Sequence, residues 1–407
     1  MTPRVKIALV RGRYNPYGGA ERFAARAMAA LSAGDAEVAV LAREWVADVS
    51  DAIAGDSAPV RFVRCDPFYI GSIWRDASFA RAVRRVLARE HFDLVQSHER
   101  IAGLPIYRAG DGVHAAWLAR RVARLPPLAR MAVALNPHHR YLLAAERAMF
   151  EHPALAAVIC NSDMVRREIL ARFAVSPDKL VLIRNGVDLQ RFHPAARIEH
   201  RAAMRARLSI AADAPVFVLV GSGFERKGVA DALAALQGVD ASACLIVVGD
   251  DKHRARYEGQ AARLGVAARA RFVGAMADPL PCYGAADVFL LPTLYDPFPN
   301  AALEALACGL PVVTTDACGA SELIAANRNG WIVPAADVPA LTRALREATS
   351  LISDPNEAAR WSRAARNAAE PWSLDALSTE LLALYRRVLS ASIVASHANR
   401  AGLGTSA

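Results

Sequence analysis

The sequence predicts an α/β protein built from two doubly wound domains. Two series of short apolar runs alternate with helical stretches along the 407 residues, as expected for parallel βαβ units. An Asn-Gly turn at residues 185–186 separates the two series. At roughly 150 residues per domain, the length also fits two or three domains.

The first series opens with an apolar run at residues 5–10, which is bounded by Gly12 and predicts a buried strand. Residues 20–31 follow as a predicted helix, because their apolar side chains recur at helix spacing. Further strands are predicted at residues 38–41, 60–63, 94–96 and 180–183. We expect these elements to form a first domain over residues 1–187.

The second series has cleaner apolar runs, at residues 216–221, 245–249, 271–274, 288–291 and 311–313. They predict a second domain over residues 188–371. Residues 372–407 are expected to form a C-terminal helix that packs back on the first domain, followed by a frayed tail. Open α/β sheets bind ligands outside the carboxyl ends of their strands, so we expect substrate in a cleft between two facing domains.

The basic residues are almost all arginines. Only four of the 49 basic residues are lysines, so each lysine stands out. The first 187 residues hold 27 basic and 18 acidic residues, a net charge of +9, whereas the remainder holds 22 of each. One half of the protein is therefore basic and the other neutral.

The apolar runs are far shorter than the roughly 20 residues that span a bilayer. Arg11 and Arg13 interrupt the first run before a signal-peptide core can form, and we expect a cytoplasmic protein. The six cysteines show no C-x-x-C pair and no histidine spacing typical of zinc. They are expected to be buried thiols.

Four loops at predicted carboxyl strand ends are candidates for ligand binding. In the first, Gly18 and Gly19 lack the side chains that would keep a phosphate from backbone N–H groups at a helix start. A tight turn explains the same pair, and the G-x-G-x-x-G pattern is absent.

The second loop, residues 221–228, joins a strand to a helical stretch and carries Arg226 and Lys227 between glycines. Adjacent cations suit a diphosphate through charge-assisted hydrogen bonds, helped by the positive end of the helix. The loop lacks the spacing of a Walker motif. A solvated basic turn is the alternative, and the rarity of lysine in this chain favours anion binding.

The third loop and its helix occupy residues 296–311. Asn300 can cap the helix, and Gly309 can end it. Every residue at positions 301–308 other than Glu304 is apolar, so no cation within the helix can pair with this carboxylate. Because burying it unpaired would be costly, we expect a pair of ligand hydroxyls as its partner; water or a cation elsewhere in the fold is the alternative.

The fourth loop holds Asp111 and His114, and His98 follows the strand predicted at residues 94–96. A carboxylate and imidazoles near strand ends can hold sugar hydroxyls or move protons. Ordinary surface polarity explains these residues equally well.

Together these segments resemble the retaining GT-B glycosyltransferases. Residues 296–311 resemble the family's E-x7-E motif, and Arg226 with Lys227 resembles its diphosphate-binding pair. The Gly-Gly loop and the Asn-Gly-Val-Asp junction at residues 185–188 match as well. Within the family, the sequence is most similar to lipopolysaccharide core glucosyltransferases of type I, which move glucose from UDP-glucose to an inner-core heptose. The first acid of the motif is Asp296 rather than Glu, and its shorter carboxylate bears on the choice of donor sugar.

The resemblance implies a role for each matching residue. Glu304 would bind the ribose hydroxyls, and Arg226 with Lys227 would neutralise the diphosphate without a metal ion or a cofactor. Asp111 would hold a hydroxyl of the donor sugar near the acceptor, with His98 and His114 as further sugar contacts. The other implied donor contacts are Gly18, Gly19, Asp296, Pro299 and Asn300. No D-x-D triplet occurs in the chain, which agrees with metal-independent transfer.

The implied partners are a nucleotide sugar, a lipid-linked glycan acceptor and the anionic inner face of the cytoplasmic membrane. Residues 114–150 hold six arginines and one acid, with apolar side chains interleaved. This composition is typical of a segment that lies in a membrane interface. Packing of the same apolar side chains into the first domain is the alternative.

Other functions stay open on the sequence alone. A nucleotide-sugar epimerase of GT-B fold needs no sugar acceptor, and a glycosyltransferase can use another donor. A nucleotide-binding or membrane-scaffold protein would be catalytically silent. Nucleic-acid binding would use the basic half, but no stacking-aromatic motif accompanies that half, so we expect no nucleic-acid partner.

Overall fold

The computed structural model describes residues 5–14, 36–45, 61–326 and 328–402. The chain divides into two compact units, one of Met1–Arg184 with Asp375–Ala407 and one of Asn185–Leu374. The chain therefore passes between the units at two peptides, Arg184–Asn185 and Leu374–Asp375. Sequence analysis placed these boundaries after residues 187 and 371.

The first unit contains one parallel sheet. Its strands are β1 (Val5–Tyr14), β2 (Ala36–Trp45), β3 (Arg61–Arg64), β4 (Leu94–Ser97), β5 (Ile106–Arg108), β6 (Ala157–Cys160) and β7 (Leu180–Leu182). They lie in the order β3-β2-β1-β4-β5-β6-β7. The helices described between them are α1 (Gly71–Arg89), α2 (His114–Ala123), α3 (Pro127–Leu135), α4 (Pro137–Phe150) and α5 (Asp163–Leu170). The helix predicted at residues 20–31 lies outside the described residues.

The second unit contains a six-stranded parallel sheet. Its strands are β8 (Val216–Val220), β9 (Cys244–Val248), β10 (Ala270–Gly274), β11 (Val288–Leu291), β12 (Val312–Thr315) and β13 (Gly330–Val333), in the order β10-β9-β8-β11-β12-β13. Its helices are α6 (Ala195–Arg207), α7 (Phe224–Lys227), α8 (Val229–Gln237), α9 (Arg254–Arg263), α10 (Leu280–Ala285), α11 (Asn300–Ala307), α12 (Val338–Ile352) and α13 (Pro355–Ala369). A last helix, α14 (Leu374–Gly402), ends the described chain.

Both sheets follow the doubly wound pattern that the apolar runs predict, and the predicted fold class is confirmed. Strands such as β4, β9 and β11 are buried along their whole length, because helices cover both faces of a parallel sheet. The strand order reverses between β1 and β4 in the first sheet and between β8 and β11 in the second. Ligands of such sheets bind in the crevice at this reversal.

Helix ends follow local side-chain chemistry. The hydroxyl of Ser162 accepts from the backbone N of Val165 at 3.2 Å, which caps α5. The carboxylate of Asp337 accepts from the N of Ala340 at 2.8 Å, which caps α12. Gly309 follows α11 at φ +75°, a conformation that favours glycine and ends a helix as the sequence predicts.

The C-terminal helix α14 belongs to the first unit from its second residue, Asp375, onward. One face of it is buried, through Leu377, Leu381, Leu384, Tyr385 and Val388. The hydroxyl of Tyr385 lies 2.6 Å from Oε1 of Gln96, whose Nε2 lies 3.0 Å from Nε2 of His98. Helix α14 thereby completes a buried polar network at the carboxyl end of β4.

The cysteine prediction is confirmed: all six are buried free thiols. Burial disfavours the thiolate and raises the pKa of Cys160, Cys282, Cys308 and Cys318 to about 12. These thiols are therefore protonated at neutral pH.

A buried carboxylate anchors α6 to the second sheet. Asp287 directly precedes β11, and three arginines at four-residue spacing on α6, Arg197, Arg201 and Arg205, converge on it. Nη2 of Arg205 lies 2.8 Å from Oδ2 of Asp287, and both side chains are only 3% exposed. The backbone N of Val216 donates to the same oxygen at 2.9 Å. One carboxylate therefore joins α6, β8 and β11.

Replacing Arg205 by Ala is expected to lower the free energy of unfolding by about 3–5 kcal/mol, because it leaves the buried charge of Asp287 without its most buried partner. Urea unfolding followed by circular dichroism measures the loss. Arg197→Ala is the matched control: Arg197 contacts the same carboxylate but is 47% exposed, and its loss should cost under about 1 kcal/mol. Equal losses in the two variants would contradict this account.

Candidate functional site

Two loops that the sequence singles out meet at the strand reversal of the second sheet. Residues 221–228 follow β8, and residues 292–299 follow the neighbouring β11. The carbonyl oxygen of Arg226 accepts from the backbone N of Leu294 at 2.9 Å and from Oγ1 of Thr293 at 2.7 Å. Asp251, after β9, caps α7 by accepting from the N of Phe224 at 2.8 Å. The candidate site is therefore a set of interlocked loops at one edge of the sheet.

Glycines allow these loops to approach so closely. A Cβ on Gly228, at φ +74°, would lie 1.9 Å from the carbonyl oxygen of Pro292. A Cβ on Gly221 would lie 2.6 Å from Cε of Lys227, and one on Gly249 would lie 2.5 Å from the carbonyl oxygen of Gly221. Side chains at these positions would push the loops apart.

The predicted cations and the first acid of the motif come together in this site. Nζ of Lys227 lies 2.7 Å from Oδ2 of Asp296, with the two side chains 9% and 6% exposed. Nη1 of Arg226 lies 3.6 Å from the same oxygen, and its side chain is 40% exposed. Because an ammonium group has three donors, Lys227 can hold Asp296 and still donate to an anion beside Arg226.

Helix α11 carries the rest of the motif. Pro299 precedes it, and Asn300 is its first residue. Nδ2 of Asn185 donates to Oδ1 of Asn300 at 2.6 Å and to the carbonyl oxygen of Phe298 at 3.1 Å. The sequence marked Asn185 only as part of a turn and of the junction at residues 185–188, so this contact to a loop more than a hundred residues away was missed.

Glu304 is half-buried, and its Oε2 accepts from the hydroxyl of Tyr283 at 2.9 Å. Tyr283 is fully buried on α10, and burial together with the Glu304 charge holds the pKa of its hydroxyl well above the usual range. The tyrosine therefore remains a donor to Glu304. Sequence reasoning correctly found no cation in the helix of Glu304, but it missed this partner, which packing brings from another helix.

In the first unit, Asp111 is exposed and His114 begins α2. Glu146 caps this helix: its Oε1 accepts from the backbone N of His114 at 2.8 Å, and its Oε2 accepts from the N of Ala115 at 3.1 Å. Nε of Arg100 donates to the same carboxylate at 3.2 Å. The sequence counted Glu146 only among the charges of the candidate membrane segment, but its side chain is buried and positions the Asp111–His114 loop.

Both candidate histidines are held neutral. Nε2 of His114 lies 3.2 Å from Nδ1 of His139, and burial, with Arg100 and the neighbouring histidines, lowers the pKa of His114 to about 4. Burial, followed by the charges of Arg11 and Arg108, holds the pKa of His98 well below its usual value. At neutral pH these imidazoles can form hydrogen bonds but carry no positive charge.

A cavity of about 460 Å³ opens at the carboxyl ends of β1, β2 and β4. It mixes charged and aromatic side chains, including Arg43, Glu99, Arg100, His138 and Tyr141. The described lining of this cavity does not include Asp111, His98 or His114. Gly18 and Gly19 lie outside the described residues.

Two family models match the chain, one in each half. Residues 17–191 match Glycosyltransferase Family 4, and residues 200–368 match Glycosyl transferases group 1. The second match contains Arg226, Lys227, Asp296 and Glu304. The two halves of the chain thus match glycosyltransferase domains along most of its length.

Individual relatives agree with the family models. The chain is 27% identical to the lipopolysaccharide glucosyltransferase WaaG of Escherichia coli K12, over 91% of this chain and 96% of that protein. It is 28% identical to the D-inositol 3-phosphate glycosyltransferase of Jonesia denitrificans, over 93% of each. The crystal structure of WaaG, a glycosyltransferase involved in lipopolysaccharide biosynthesis, superposes with a TM-score of 0.77 at 25% identity and covers 92% of this chain and 98% of that one. The doubly wound sheets, the two family matches and these relatives agree, and the chain belongs to the GT-B glycosyltransferases.

Proposed function

We propose that the protein transfers glucose from UDP-glucose to a heptose of a lipopolysaccharide core, or of a similar lipid-linked glycan, with retention of the anomeric configuration. The proposal that the site binds a nucleotide-sugar donor rests on the Lys227–Asp296 pair. This pair lies beside the exposed guanidinium of Arg226, at the strand reversal of the second sheet. The likeness to a lipopolysaccharide glucosyltransferase supports the choice of sugar and acceptor.

In the proposed mechanism, the departing diphosphate oxygen accepts the proton of the acceptor hydroxyl, which attacks the anomeric carbon from the same face. The bond from that carbon to the diphosphate breaks, and no covalent enzyme intermediate forms. Arg226 and Lys227 stabilise the charge that develops on the diphosphate without a metal ion. Asp111 holds a hydroxyl of the donor sugar, and Glu304 binds the ribose.

The reaction itself is tested by incubating the purified protein with UDP-glucose and defined core oligosaccharides, with products read by mass spectrometry and the new linkage by NMR. A product with one added hexose in α configuration supports the proposal. UDP released equally without any acceptor would instead favour an epimerase or a hydrolase. Transfer to D-inositol 3-phosphate but to no heptose would overturn the proposed acceptor.

Replacing Lys227 by Ala should lower turnover by about 10- to 100-fold, because a hydrogen bond to a charged group contributes roughly 1.5–3 kcal/mol. Steady-state kinetics with saturating UDP-glucose measures the change. Lys252→Ala is the matched control, since Lys252 is exposed after the neighbouring strand β9. Near-normal turnover in Lys227→Ala would remove Lys227 from the proposed mechanism.

Glu304→Gln should raise the Kd for UDP roughly tenfold, because the amide is a weaker acceptor for ribose hydroxyls than a carboxylate. Isothermal titration calorimetry gives the Kd, and an unchanged melting temperature shows that the fold is kept. Glu258→Gln, on the exposed helix α9, should leave the Kd unchanged. A normal Kd in Glu304→Gln would show that this carboxylate does not bind ribose.

We further propose that the first unit docks on the anionic inner face of the cytoplasmic membrane. Leu128, Met131 and Leu135 lie on one face of α3 and are 78%, 56% and 65% exposed. Other apolar side chains of the same segment, such as Leu118 and Phe150, are buried in the unit. The apolar contact with lipid is therefore assigned to α3. In the described part of the chain, every helix is too short or too polar to cross a bilayer.

Changing Arg124 and Arg140 together to Glu should reduce binding to phosphatidylglycerol vesicles at low salt at least tenfold, since each basic residue near an anionic surface contributes roughly 1 kcal/mol. Both arginines are exposed, whereas Arg120 is left unchanged because it pairs with Glu168. Vesicle co-sedimentation measures the binding. The same double change at Arg343 and Arg363, exposed on the second unit, is the control. Equal losses in the two double variants would contradict docking through α3 and its neighbours.

A further inference from the structure

The side chain of Asn185 makes two hydrogen bonds that fix its orientation. Its Nδ2 lies 3.1 Å from the carbonyl oxygen of Phe298 and 2.6 Å from the side-chain amide of Asn300. A carbonyl oxygen can only accept, so the group of Asn185 that faces Phe298 must be its NH2. This NH2 has two hydrogens, and the two contacts use both of them.

The same reasoning fixes the orientation of Asn300. Since the NH2 of Asn185 donates to it, the atom of Asn300 at 2.6 Å must be the oxygen. The Nδ2 of Asn300 then points away from Asn185, and among the described residues it has no hydrogen-bond partner. Pro299, before α11, offers no side-chain cap to the first turn of the helix. The amide of Asn300 and the helix start therefore present donors only.

We propose that Asn185 is a positioning residue that fixes Asn300 as a hydrogen-bond donor to the phosphate oxygens of the nucleotide sugar. The inference rests on the proposed function, because it requires a diphosphate in the candidate site. Asn185 thereby decides which end of the Asn300 amide meets the phosphate. The NH2 group faces the anion, whereas the carbonyl oxygen at the same place would repel it. Without Asn185, the amide of Asn300 is free to turn.

The test compares the affinity for UDP with that for uridine, which lacks the phosphates. Asn185→Leu, a neutral variant of similar size, should raise the Kd for UDP at least fivefold and change the Kd for uridine less than twofold. Asn300→Asp can still accept from Asn185 but places a carboxylate oxygen toward the phosphates, and should raise the Kd for UDP at least tenfold. Asn356→Leu, at an exposed site on α13, is the control. Ligand-observed NMR gives both constants.

A double-mutant cycle separates positioning from a structural role. In the Asn300→Ala background, Asn185→Leu should change the Kd for UDP less than twofold, because there is no amide left to orient. A further loss of fivefold or more in that background would show that Asn185 only supports the loop, and would overturn the inference. Normal UDP binding by Asn300→Asp would do the same. Failure of the unchanged protein to bind UDP would instead overturn the proposed donor, and the inference with it.

Discussion

The ion pair between Lys227 and Asp296 is the interaction on which the candidate donor site depends. It joins the loops after two adjacent strands, β8 and β11, at the point where the strand order reverses. Removing both charges from water opposes folding, so an apolar pair of similar volume would hold the loops together at a smaller cost in folding free energy. We infer that the pair is kept for what it places at the sheet edge: a charged ammonium group with donors to spare. The glycine at position 221 is a condition for it, since a Cβ there would collide with the lysine side chain.

Two other buried carboxylates act as anchors of helices. Asp287 gathers the arginines of α6 and a backbone N–H of β8, and Glu146 gathers Arg100 and the first N–H groups of α2. In both cases a charge that would be costly alone is surrounded by donors from elements distant in sequence. Asp287 holds α6 at the amino end of β11, opposite the donor loop that follows this strand, and Glu146 holds the start of α2 directly after the Asp111–His114 loop.

Most strands that the sequence predicts contain runs of apolar side chains, because a strand buried on both faces needs apolar side chains at nearly every position. It missed three strands: β5, which ends at a buried arginine, Arg108; β13, which begins with a glycine; and β6, which is as apolar and buried as the predicted strands but only four residues long. In the candidate site, Lys227 could be singled out because lysine is rare in this chain. Tyr283 and Asn185 could not, since their roles come from contacts with Glu304 and Asn300 that only the folded chain creates. Long-range polar contacts of this kind leave no periodic pattern in a sequence.

The contact between Tyr385 and Gln96 spans 289 residues and sets an order of events during synthesis. At about 5–20 residues per second, the ribosome needs roughly 15–60 s to reach the tyrosine after the glutamine has been made. For most of that interval the second unit is being made, and throughout it the polar cluster around Gln96 and His98 lacks the helix that covers it. The first unit, although its sheet is synthesised first, is therefore the last to be completed.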